Sequence, residues 1–307
     1  MRRTWVCFAI AAIFAGTTPA MAVEYGMGLW PPGFAGFMAG VLPPQPGLYL
    51  GADNYAFRGT AGREVRNDAI ELNADVGFDA GFLTGTYVSD LHFLDATYAA
   101  TAVFGYSGMN LTASVATPLG SLSESVSNSG LTDSFITPIT LGWHDGNWNW
   151  LVAANAYVPT GSFQLRQLNI GRNVWAAMPQ ASLTYFDPQT GIDLSGTLVY
   201  VIQSENNTTN YQSGNVLNFD WAAGMHFGPQ WEAGVQGNVV EQTTGDSGSG
   251  AKLGAFEARS AGIGPGVSYT TKLGDTPTIA TFKWERDFAA RNTFSGNILV
   301  ASATFVF

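Results

Sequence analysis

Two groups of side chains in this 307-residue chain have the types and spacing to do chemistry. The first is Gly245-Asp246-Ser247-Gly248, an order found around nucleophilic serines. Such a serine needs a histidine to take its proton and a carboxylate to orient that histidine. No matching frame surrounds His92, His144 or His226, and Thr243 to Gly250 has the composition of a mobile loop. The chain therefore reads as no enzyme, the catalytic alternative being a lipase whose serine and histidine meet at one rim. Histidines this far apart give no metal-ligand spacing, and no glycine-rich phosphate loop follows a strand, so no metal and no cofactor are expected.

The second group is Lys283-Trp284-Glu285-Arg286-Asp287. In an extended strand successive side chains point to opposite faces, so Lys283, Glu285 and Asp287 share one face while Phe282 and Trp284 share the other. The same parity sets Asp220, His226 and Glu232 opposite the apolar face of their strands. If these strands wall a pore, the six polar residues face its lumen, where they either orient a solute or pair with one another and hold the interior rigid.

What must position them is a set of alternating strands. Leu217, Phe219, Trp221, Ala223, Met225 and Phe227 interleave with Asn218, Asp220, Gly224 and His226, and Pro229-Gln230 then turns the chain into Trp231, Ala233, Val235 and Val239. Ile70 to Phe78 alternates in the same way. Further hairpins turn at Asp145-Gly146-Asn147, at Asp187 to Gly191 and near Gly274-Asp275-Thr276-Pro277. Between these short turns lie longer polar connections at 118–134, 159–173, 204–213, 242–255 and 289–295. Strict alternation of short and long connections is what an outer-membrane barrel requires, and a Greek-key sandwich has no reason to produce it.

The predicted fold is all-β, a transmembrane antiparallel up-and-down β-barrel of about twelve strands, or roughly ten to fourteen, rising if Ser107-Gly108-Met109 is a turn. Trp143, Trp148, Trp150, Trp221, Trp231 and Trp284, with Phe305 and Phe307, are candidates for the aromatic girdle where lipid meets water; the alternative is the tryptophan core of a β-sandwich.

Composition agrees. Charged residues are 12% and aromatic residues 13%, with 37 glycines, which is unusual for a soluble enzyme. Residues 1–22 read as a cleaved signal peptide: Arg2-Arg3, the apolar stretch Val6 to Gly16, and the small-residue exit Ala20-Met21-Ala22. Its loss removes Cys7, the only cysteine, and takes the net charge from −10 to −12, a balance that repels nucleic acid. Residues 23–47 form a Pro/Gly-rich lead that is either a disordered periplasmic segment or a hatch folded into the barrel, and 48–307 form the barrel itself. The hatch reading would cover Leu29, Trp30, Phe34 and Phe37. The last strand ends Phe305-Val306-Phe307, which resembles the C-terminal signal read by the barrel-assembly machinery.

Several stretches resemble the family of outer-membrane proteins named for the meta-pathway of phenol degradation. They are Pro46-Gly47-Leu48-Tyr49-Leu50, Thr137-Pro138-Ile139 through Gly142-Trp143, Thr184 to Pro188 with Gly191, Tyr211 to Gly214, Thr243 to Gly248, and Gly262 to Pro265 leading to Tyr269. The resemblance spans most of the chain and implies a Gram-negative outer-membrane barrel that helps small hydrophobic, often aromatic, solutes cross. It carries no functional residues over. The expected function is passive admission of such solutes through a monomeric barrel, with a closed structural or adhesive barrel as the alternative.

Overall fold

A computed structural model describes residues 28–65, 70–117, 120–252 and 254–307; the signal segment and residues 23–27 lie outside it. Thirteen strands follow in chain order: β1 (Gly47–Val65), β2 (Ile70–Phe93), β3 (Ala96–Thr117), β4 (Gly120–Leu131), β5 (Ser134–Asp145), β6 (Trp148–Val158), β7 (Ala176–Asp187), β8 (Ile192–Gln203), β9 (Val216–Phe227), β10 (Trp231–Gln242), β11 (Arg259–Leu273), β12 (Thr276–Arg291) and β13 (Ser295–Val306). Each pairs antiparallel with its neighbour, and β1 closes the ring on β13 in a register running from Tyr49–Val306 to Thr60–Ser295. Strands β4 and β5 both pair with β3, so together they make one wall position interrupted at Thr132-Asp133, and the barrel has the expected twelve. Ser107-Gly108-Met109 runs straight through β3 and is no turn.

Pairing of β1 with β13 closes the ring, as a lipid-facing sheet requires, while β4 is paired with β3 alone. The alternation then assigns two faces. On β9, Val216, Asn218, Asp220 and Ala222 are buried inside, while Phe219, Met225 and Phe227 point outward and exposed. On β12, Phe282, Trp284 and Phe288 are outward and Lys283, Glu285 and Asp287 inward. An apolar outside around a polar inside inverts the arrangement of a soluble protein.

The short turns and both ends of the barrel chain gather at one end. There Leu94 and Asp95 both take positive φ (52° and 59°). Gly191 has φ 78°, and a Cβ on it would come within 2.7 Å of the His226 carbonyl oxygen, so glycine is required on both counts. The long connections lie at the opposite, loop end.

Two expectations change at that loop end. Of the connection expected at 118–134, Gly120–Leu131 is a strand: β4 pairs with β3 from Tyr106–Leu131 to Thr117–Gly120. Its serines, Ser121, Ser123, Ser125, Ser127 and Ser129, disguise a strand as a linker because a strand risen into water needs no apolar face. The connection expected at 289–295 shrinks likewise, since β12 runs to Arg291 and β13 starts at Ser295.

The apolar set of β2 also faces inward here. Ala74 and Val76 pack with Met109, Leu168, Ile170 and Phe294, while Asn73 and Asp75 are exposed outside. Further along the strand the outer face turns apolar at Leu83 and Tyr87. An exposed ion pair, Arg58 to Asp79 at 2.7 Å, marks the change on the outer surface.

Candidate functional site

Residues 28–46 lie inside the barrel, fastened largely through their own backbone. A buried carboxylate, Asp220 of β9, accepts from Gly33 N at 2.9 Å, Ala35 N at 3.0 Å and Trp30 Nε1 at 3.3 Å. From β12, Lys283 Nζ donates to the carbonyls of Phe34 at 2.7 Å and Ala35 at 2.9 Å. Asp193 of β8 accepts from Met38 N at 2.9 Å, and Thr184 of β7 accepts from Gly40 N at 2.8 Å. Across the ring, the Tyr55 hydroxyl of β1 donates to Pro32 O at 3.3 Å. A Pro/Gly-rich segment has few internal partners for its backbone, and these wall side chains supply them.

Glycines let this segment approach the wall. A Cβ on Gly40 would lie 2.6 Å from Thr184 N, and one on Gly33, whose φ is +69°, would lie 2.7 Å from Glu285 Oε1. The wall reciprocates: Gly224 and Gly266 leave the space that the Phe37 ring occupies.

Of the six residues expected to face the lumen, Asp220, Lys283 and Glu285 come together beneath the segment. Glu285 accepts from Asn238 Nδ2 at 2.6 Å. His226 and Glu232 form a separate pair, Nε2 to Oε1 3.3 Å, toward the turn end. Asp287 lies toward the loop end and accepts from Gly296 N at 2.8 Å. Parity alone did not single out Asp193 and Thr184. Both stand on the inner face of strands whose outer residues, Leu194 and Leu183, are exposed and apolar, so the signal was there to be read.

Among the girdle candidates, Trp143 and Trp150 stack at 6.2 Å on the outer face, and Trp148 and Trp231 are exposed beside the short turns with Phe307. Trp284 is exposed higher up and donates to Asn297 at 3.1 Å. Trp221 sits mid-strand, opposite Gly196 and Gly237.

The segment leaves two cavities. One, of about 130 Å³ toward the loop end, is lined by aromatic side chains including Phe57, Phe78, Tyr157 and Phe294. The other, of about 360 Å³ toward the turn end, is lined by Thr84, Thr101, Thr137, Thr140, Asn155 and Gln180 among others. Trp30, Pro31, Phe82 and Phe135 belong to both. Phe34 bridges edge-on to Trp30 at 6.4 Å and to Phe82 at 6.3 Å. Of the six expected residues only Asp287 lines either cavity.

The serine-protease-like segment has a different use. Asp246 is buried and accepts from Tyr211 Oη at 2.6 Å, Gln242 Nε2 at 2.7 Å and Gly214 N at 2.9 Å, tying the 204–215 and 243–258 connections together. Ser247 exchanges backbone bonds with Gln212, so this stretch is an ordered strap and not the mobile loop its composition suggested. Among the described residues no group of three His, Cys, Asp or Glu side chains is placed to hold a metal ion.

A closed twelve-stranded antiparallel ring, apolar outside and threaded inside by its own N-terminal segment, defines an outer-membrane type of barrel. The chain belongs to the family described by the MetA-pathway of phenol degradation, whose model matches residues 56–302. An outer membrane channel from Pseudomonas putida F1 has the same fold, with a TM-score of 0.61 at 16% identity over 87% of this chain and 97% of that one. The translocator domain of the autotransporter NalP from Neisseria meningitidis aligns over 86% and 89% of the two chains at 11% identity, with a TM-score of 0.42. No curated protein matches the chain.

Proposed function

We infer that the protein is a passive outer-membrane channel for small hydrophobic solutes, aromatic ones included, whose lumen is closed by residues 28–46 acting as a hatch. One observation carries this reading. The lumen is filled by a separate segment held through a handful of hydrogen bonds, where a purely structural barrel would be filled by side chains of its own wall. Short turns then face the periplasm and long connections the exterior, by the rule for such barrels. Membership of a phenol-degradation family favours aromatic cargo, and the printed name of the Pseudomonas relative, an outer membrane channel, favours conduction. Diffusion down a gradient needs no cofactor. Outer-membrane lipid and the assembly machinery that reads Phe307 are the partners this reading requires.

An adhesive role is the second reading, favoured by the polar sheet that β2, β3 and β4 raise at the loop end. Swelling of proteoliposomes made with residues 23–307 separates the two. Small sugars should enter, and faster after deletion of residues 24–47. No permeation in either form would sink the channel reading and leave the adhesive one.

A further inference from the structure

The hatch is fastened unevenly, and the cavity toward the turn end lies where it is fastened least. Four of the six wall side chains that hold it, Thr184, Asp193, Asp220 and Lys283, come from β7, β8, β9 and β12, and the other two, Tyr49 and Tyr55, from β1. The cavity toward the turn end is walled mainly from the other arc: Thr84 on β2, Thr101 on β3, Thr137 and Thr140 on β5, and Asn155 on β6, with Gln180 on β7. Trp30, Phe82 and Phe135 line both cavities, so a solute moving from the aromatic cavity to the threonine-lined one must pass this collar.

The two cavities suit different parts of one molecule. The aromatic cavity, about 130 Å³, is close in volume to the roughly 150 Å³ of a void that admits a benzene ring, so it has room for a single ring, with Asp133, Arg172, Arg259 and Asp287 also in its lining. No acidic, basic or histidine side chain lines the larger cavity. Its polar groups are hydroxyls and amides, several of them already paired: Thr137 donates to Asn155 at 2.6 Å, and Thr86 and Thr101 lie 2.9 Å apart. A hydroxyl that is already donating still offers lone pairs, so the wall accepts a hydrogen bond from an O–H or N–H substituent. An ion entering there would shed water without meeting a counter-charge, which is costly. Asp53 accepts from Thr84 at 3.2 Å without itself lining the cavity.

We propose that this charge-free cavity, entered through the Trp30–Phe82–Phe135 collar, is an ionisation filter that passes single-ring solutes in their neutral form and rejects the same ring bearing a charge, above all an anion. The filter rests on the channel reading. It makes Thr101, Thr137 and Thr140 specificity-determining residues.

The test uses residues 23–307 in proteoliposomes and compares uptake of nicotinamide with that of nicotinate, rings of one size differing in charge, while glycerol swelling reports whether the route opens. Nicotinamide should enter about tenfold faster or more, as expected when an ion lacks a counter-charge. Thr101→Lys or Thr140→Lys, each of which places a cation in the cavity, should bring the ratio toward one. Folding of each variant is checked by the heat-dependent gel shift of closed barrels. Glycerol swelling with a wild-type ratio near one, or a ratio that Thr101→Lys leaves unmoved, overturns the filter alone. Absence of glycerol swelling both in this protein and after deletion of residues 24–47 overturns the channel reading and the filter with it.

Discussion

Replacing Asp220 by alanine should open the barrel without unfolding it. Asp220 is 2% exposed and stands on β9, whose pairing with β8 and β10 does not depend on its side chain. What it holds is the hatch, through two backbone N–H groups at 2.9 and 3.0 Å and the Trp30 indole at 3.3 Å. A hydrogen bond to a charged acceptor contributes about 1.5–3 kcal/mol. At the low end, since freed groups can meet lumenal water, the two backbone bonds give about 3 kcal/mol toward the closed position. With tenfold per 1.4 kcal/mol, that is a shift of roughly 100-fold in the closed-to-open ratio. Planar-bilayer recording should show open events rising accordingly in Asp220→Ala, and less in Asp220→Asn, which keeps one acceptor oxygen. Adding Lys283→Met should raise opening by less than the sum of the two single effects, because both side chains hold the Phe34-Ala35 stretch. A folded Asp220→Ala barrel whose open probability stays within about twofold of wild type would refute the anchoring argument.

The other predictions follow from the same architecture. Gly40→Val should displace the hatch, since its Cβ would lie 2.6 Å from Thr184 N and 2.9 Å from Asn149 O; sugar swelling should rise, and unchanged swelling counts against a close-fitting hatch. Phe219→Arg places a charge on the outward face of β9 and should cost about 2–4 kcal/mol in refolding into bilayers, whereas a cost under about 0.5 kcal/mol would mean that this face does not meet lipid. Asp246→Ala should release the strap between the 204–215 and 243–258 connections, seen as faster proteolysis there with the barrel core intact; equal cleavage rates would show that the strap closes without Asp246.

The barrel was legible because lipid forces a two-residue period onto each strand, and β9, β10 and β12 display it with few exceptions. Legibility fades where the constraint does. Above the apolar band β2 turns its apolar residues inward and β4 is written in serine, so Ala74 kept its period but faced the other way, and Ser121 to Ser129 looked like a loop. The lumenal position of Asp220, Lys283 and Glu285 could be read from parity, but their occupation by backbone groups of residues 33–35 could not, because those contacts span 185 to 249 positions. Asp193 and Thr184 were hidden for the same reason: an inward polar residue is ordinary until its partner is known. In Asp246, the motif suggested a catalytic neighbour and the fold supplied a structural one.

The most direct measurement exploits a chain without cysteine after residue 22. Ala35→Cys with Asp220→Cys removes the carboxylate anchor and replaces it with a bond that reductant can break, between positions now joined at 3.0 Å from Ala35 N to Asp220 Oδ2. In one bilayer, with disulfide formation confirmed by gel mobility, current should be near zero when oxidised, rise on reduction and fall again on reoxidation. Equal currents in both states would mean that residues 28–46 do not close the lumen.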